Sequence, residues 1–138
     1  MIRELRRVAT KDMIFLVERF AMYDDVFKEY LNTLKLIDEG KALMFENFQS
    51  LSRNYRKNVQ VFASEALLIM KKLNERIDSY SLQKIATGIS NYINGLNEIL
   101  TCIDLQTEVL DQAKQNEIMM KIENAKNELC NSIKEASI

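Results

Sequence analysis

The chain has 138 residues, of which 47% are hydrophobic and 28% charged, with a formal net charge of −1. That size suits one domain with its own core, and that balance excludes a disordered chain and any global field for nucleic acid or an anionic membrane. Three glycines, no proline and no histidine leave little turn punctuation and remove the commonest catalytic base.

The first predicted helix runs from Arg3 to Asp38. Met13, Leu16, Phe20, Tyr23, Phe27, Tyr30, Leu34 and Ile37 alternate at threes and fours and form one stripe, which Val17, Val26 and Leu31 widen. The stripe passes through Asp24 in phase, so one unbroken helix is preferred to a break there. Gly40, after Asp38 and Glu39, is the predicted stop.

A second helix is predicted from Lys41 to Asp78, with Met44, Phe48, Leu51, Tyr55, Val59, Phe62, Ala66, Ile69, Leu73, Ile77 and Tyr80 on its stripe. Its length matches the first, which makes an antiparallel hairpin about Gly40. Ser79 or Ser81 is expected to cap the next helix.

The third helix opens at Leu82 and carries Ile85, Ile89, Tyr92, Leu96, Ile99 and Ile103. Gly95 inside it costs about 1 kcal/mol relative to alanine and is a candidate close helix contact. Beyond Ile103 the pattern loosens. Gln106 takes the next stripe position, Leu110 and Ala113 resume, and Ile118, Ile122, Ala125, Leu129 and Ile133 come after them out of phase. Either one long helix stutters or a turn near Gln112 to Asn116 starts a fourth. The turn is preferred, because a single helix of about 55 residues would outrun the first two by about 20.

The predicted fold is therefore all-α: an antiparallel up-down bundle of three to four helices, the two N-terminal ones long, in a single domain over residues 1–138. No apolar run approaches the roughly 18 to 20 residues of a membrane span, and no secretory signal is recognisable, so a cytoplasmic protein is expected. Cys102 and Cys130, without a CxxC pair, are expected to be reduced thiols.

Chemistry is hard to place on this chain. It has no GxGxxG, P-loop or GxSxG motif, and without histidine no Glu-x-x-His pair for a dimetal site. No catalytic residue, cofactor or metal is expected. Tyr23, Tyr30, Tyr55, Tyr80 and Tyr92 read as core residues with edge hydroxyls, and Met119 with Met120 as core filler.

Charge has some shape. The hairpin brings Arg3, Arg6, Arg7 and Lys11 level with Lys71, Lys72 and Arg76, a candidate anion or partner patch, with Lys84 nearby and Glu4, Asp12, Glu75 and Asp78 offsetting about half of the charge. Asp38, Glu39 and Glu46 gather at the other end with Asp104, Glu108 and Asp111. Arg53, Arg56 and Lys57 make a second basic spot around Tyr55. The function expected is a non-catalytic adaptor, chaperone or assembly bundle that binds another protein through a helix face. The alternative is nucleic acid or an anionic membrane held by the basic end. Ile118, Ile122, Ala125, Leu129 and Ile133 either overhang the hairpin on a straight third helix or fold back on a fourth too short to cover the bundle, and both geometries predict a homodimer through that face.

Overall fold

The apolar stripes close on one another in the computed structural model, which describes residues 2–39, 48–104, 106–107 and 109–137, and among these the side chains of 11–36, 39, 50–104, 106–107 and 109–136. Within the described residues there are four helices: α1 (Ile2–Asp38), α2 (Phe48–Leu73), α3 (Ser79–Glu98) and α4 (Gln112–Ser137). The fold is the expected all-α bundle. Predicted features at Gly40, Lys41 and Met44 lie outside the described residues, as do the side chains of Ile37 and Phe48.

Helix α1 runs unbroken for 37 residues, in keeping with its continuous stripe. Its order against α2 is antiparallel: Phe20 faces Phe62 and Tyr30 stacks on Tyr55, with ring centroids 6.4 and 4.2 Å apart. The other neighbours also alternate in direction. Tyr55 donates to the Leu96 carbonyl between α2 and α3 (2.7 Å). Gly88 and Gly95 of α3 meet Leu129 and Ile122 of α4, and Asp24 of α1 meets Lys126 of α4. The core is the meeting of these stripes, with five rings (Phe20, Phe27, Tyr55, Phe62 and Tyr92) at its centre. Leu31 joins it, but Val17 and Val26 do not: they are 44% and 39% exposed, on the flanks of the stripe.

Helix α2 stops at Leu73, five residues before the predicted end. Two amides, those of Arg76 and Ile77, close on the Leu73 carbonyl at 2.9 and 3.1 Å, and the chain turns. Asp78, rather than either serine, then caps α3, its carboxylate accepting from the Ser81 amide at 3.0 Å. This reversal resets the helical phase, so Ile77 still packs on the core while Tyr80 is 69% exposed and is not a stripe residue.

The break in the last third is real and lies earlier than Gln112. After α3 come a 3-10 turn (Ile99–Cys102) and a two-residue antiparallel ladder, β1 (Ile103–Asp104) and β2 (Val109–Leu110). Gln106, at a stripe position by spacing, sits in the turn between them. The Asp104 carboxylate accepts from the amides of Gln106 and Thr107 at 2.9 and 3.3 Å, an arrangement short acidic side chains favour in turns. Asp111 accepts from the Lys114 amide at 3.1 Å and starts α4. Asp104 and Asp111, of the six acids predicted at this end, thus hold backbone, while the side chains of Asp38, Glu46 and Glu108 lie outside the described residues.

Helix α4 folds back along α3, and the seam is tight because Gly88 and Gly95 lie on it. A Cβ at Gly95 would fall 2.7 Å from Ile122 Cγ1 and one at Gly88 would fall 3.1 Å from Leu129 Cα. Ile118, Ile122, Ala125, Leu129 and Ile133 are all buried here, between 0% and 7% exposed. The face predicted for self-association is therefore the chain's own core, since the early turn gives α4 26 residues with which to cover α3. Alanine in a helix ordinarily gains about 1 kcal/mol over glycine. Gly95→Ala is expected to reverse that sign and lose about 1 to 2 kcal/mol in chemical denaturation, because overpacking a close seam outweighs the propensity gain.

Candidate functional site

The basic end assembles in part. Lys71 and Lys72 close α2, and the pairing of α1 with α2 brings exposed Lys11 level with them; Arg76 comes next in the connection. Arg3, Arg6 and Arg7 lie on the first turns of α1, with side chains outside the described residues. Lys84 does not contribute a spare charge. Its Nζ is 3.2 Å from Glu135 and lies 4.8 Å from the centre of the Tyr80 ring. Lysines in the last turn of α2 also have a plain structural use, offsetting the partial negative charge of a helix C-terminus.

The mid-helix cations Arg53, Arg56 and Lys57 are exposed, but Tyr55 among them is 2% exposed beneath Tyr30. It offers no face for stacking. Burial pushes the Tyr55 and Tyr92 hydroxyls far above the ordinary phenol range, and both donate to buried acceptors instead. Tyr23 and Tyr30 are likewise core residues. Met119 and Met120, expected as filler, are 41% and 69% exposed.

The charges of the whole chain nearly cancel, yet α2 carries five basic residues and one acid. That acid, Glu65, faces α1, where Arg19 Nε lies 4.0 Å away. The charged residues of α3, Lys84 and Glu98, both pair across to α4, with Glu135 and with Lys121. The facing walls of the α2–α3 groove consequently carry no acid, and Glu75 and Asp78 stand beyond it in the connection between the two helices.

The α2–α3 seam is also one of the two looser ones, the other being α1–α4, whose groove of about 320 Å³ is lined mainly by polar side chains such as Lys28, Asn32, Gln112 and Asn116. The α3 and α4 helices pack most intimately, while α2 and α3 approach much less closely. Between α2 and α3 runs a groove of about 310 Å³ lined by Ala63, Leu67 and Met70 on one wall and Ala86, Ile89 and Ile93 on the other. Leu67 is 58% exposed on its rim. A larger groove of about 460 Å³ lies between α3 and α4, but most of its lining side chains are polar, and beside the paired Lys84 and Glu135 it holds a further acid, Glu128. The spacing of stripes does not point to the α2–α3 groove. Its signal is the run Ala66 to Met70, five apolar residues in succession, of which a helix can bury only some.

One buried polar cluster has no counterpart in the sequence pattern. Asp24 is 8% exposed, accepts from Tyr92 Oη at 2.8 Å and from Lys126 Nζ at 2.9 Å, and has Lys28 Nζ 3.4 Å away. Burial alone would raise its carboxyl, but the Lys126 and Tyr92 hydrogen bonds and the two ammonium charges outweigh it and hold the group below the usual carboxylate value. Burial likewise works against the Lys126 ammonium, and the Asp24 carboxylate more than compensates, raising it. A carboxyl lowered in the folded state stabilises above its unfolded value near pH 3.9, and that contribution is lost as pH falls through the folded value. Asp24→Asn is expected to cost about 1 to 3 kcal/mol at pH 7. Its gap from the parent protein should shrink steadily in urea melts taken below about pH 4; a gap independent of pH would remove the ionised carboxylate from the account.

No cluster of metal-ligating side chains occurs among the described residues. No helix among them is long and apolar enough to cross a membrane. Both cysteines are free, Cys102 buried, and burial raises its thiol, which disfavours the reactive thiolate. Compared with known proteins, the chain matches no family model, no curated protein and no solved structure.

Proposed function

We propose that this protein is a non-catalytic interaction module, an adaptor, chaperone or assembly factor, that takes a helix of a partner protein into the α2–α3 groove. The observation that carries the reading is an apolar groove with a leucine 58% exposed on its rim, in a bundle whose α3–α4 seam is closed by glycines. An amphipathic helix laid in such a groove buries anchors at helical spacing, a common mode of peptide recognition. The two free thiols suit a reducing compartment such as the cytoplasm.

A photo-reactive phenylalanine analogue at position 67, in the chain expressed in its own cell, should yield an adduct with a partner that maps to a helix of that partner. The same group at position 120, where Met120 is more exposed still (69%) but lies on α4, outside the groove, should yield none. Equal adducts from both positions, or none from position 67, would reject the reading.

A second reading rests on the gathering of Lys11, Lys71, Lys72 and Arg76 at one end, and takes nucleic acid or an anionic membrane there. Phosphate-driven binding falls steeply with salt while apolar docking does not, which separates the two. A homodimer, expected from the sequence, would need a face other than the five α4 residues now placed in the core.

A further inference from the structure

Resting on the docking reading above, we infer that the groove selects an acidic helix: one whose apolar ridge is flanked at each end by carboxylates, about four turns apart. The α2 rim of the groove is a helical row. Lys71 stands one turn beyond Leu67, and Arg56 three turns before it, with uncharged Gln60 between. Fifteen residues separate the two cations, about 22 Å along the helix axis, and both are exposed. The α3 wall adds only uncharged polar groups, Ser90 and Asn94.

The acids on α2 and α3 are turned elsewhere, and of the two in the connection past Lys71, Asp78 is held by the Ser81 amide while Glu75 is exposed beyond the end of the groove. Glu65 lies toward Arg19 of α1, and Glu98 toward Lys121 of α4. An apolar trough with a cation near each end and no acid along its length is complementary to a helix with the reverse pattern. A basic helix in the same place would meet like charge at both ends, so the cations also act against wrong partners. Because these contacts are exposed, they are screened by salt and set preference more than grip.

The test uses a displayed library of 18-residue helices with a fixed apolar ridge, in which the positions beside and beyond the ridge vary among Glu, Gln and Lys. Selection is against the whole chain at low salt, with Leu67→Gln and the double variant Arg56→Gln, Lys71→Gln as counter-targets. All three positions are exposed, so these variants keep the fold. The expected result is enrichment of Glu at both ends, loss of binding to Leu67→Gln, and a preference for Glu over Gln of about threefold to tenfold that vanishes on the double variant and at high salt.

Helices that need Leu67 but show no excess of Glu would overturn the acidic preference and leave the docking reading standing. Acidic helices indifferent to the double variant would overturn it too, because the charge would then be read elsewhere. Selected helices indifferent to Leu67→Gln, or no enrichment at all, would sink both readings. Vesicles of phosphatidylserine and phosphatidylcholine form the last arm: binding that Leu67→Gln abolishes would make the groove a lipid-facing surface and overturn the inference.

Discussion

Phe27→Ala is expected to destabilise the fold by about 3 to 5 kcal/mol, the range for truncating a buried aromatic. Phe27 is 1% exposed, and the rings of Tyr55, Phe62, Tyr23 and Tyr92 surround it, with centroids 5.6, 6.1, 6.1 and 6.4 Å away. Two of those rings cannot swing into the space it leaves without breaking a bond. Tyr55 is tied to the Leu96 carbonyl and Tyr92 to the Asp24 carboxylate. The cavity therefore stays open, which places the loss toward the upper end of the range. Equilibrium urea denaturation measures it, and a loss below about 1 kcal/mol would show that these rings are not the packed centre of the bundle.

Leu129→Glu is expected to remove the folded state. The side chain is 0% exposed and lies against Gly88, where even a methyl group on the facing helix has little room. A carboxylate there must be buried, or α4 must leave α3, and either cost is comparable with the roughly 5 to 15 kcal/mol by which a domain of this size is stable. The two readings of α4 part company at this residue. If its apolar stripe met a second chain, the substitution would give a well-folded monomer of about 16 kDa; with the stripe inside the chain, it gives lost helicity and no cooperative melt. Circular dichroism with sedimentation equilibrium distinguishes these outcomes.

The bundle itself is legible in the sequence because burial and spacing coincide. From Met13 to Leu34 every residue of the first stripe is buried, and Tyr55 to Leu73 and Ile85 to Ile103 repeat the agreement. Boundaries are less legible, for a physical reason. Leu73, Ile77 and Tyr80 keep helical spacing across a turn, so only the capping carboxylate of Asp78 tells where one helix stops and the next begins. Asp104 and Asp111 act alike at the next turn, and read as charge what serves as backbone support. Lys11 falls at the level of Lys71 and Lys72 by hairpin register alone. The groove is hidden, because Leu67 is off the stripe and its exposure depends on how far α3 stands from α2. Asp24 is least legible of all: its partner Lys126 is 102 residues away in sequence.

Asp24 and Arg19 lie on opposite flanks of the α1 stripe, and this bears on the handedness of the bundle. Four alternating helices can circle a core clockwise or anticlockwise, and an apolar stripe that is nearly symmetric about its centre fits both. In the observed hand α2 lies on the Arg19 flank, which meets Glu65, and α4 lies on the Asp24 flank, which meets Lys126. The mirror arrangement would exchange α2 and α4. Asp24 would then be pressed toward the middle of α2, near apolar Val59 and Phe62, with only the exposed Lys28 of its own helix beside it, and Lys126 would be left without its carboxylate. Losing Lys126 and its hydrogen bond from this buried carboxylate costs about 1 to 3 kcal/mol, a bias toward the observed hand where hydrophobic contact alone would barely distinguish the two.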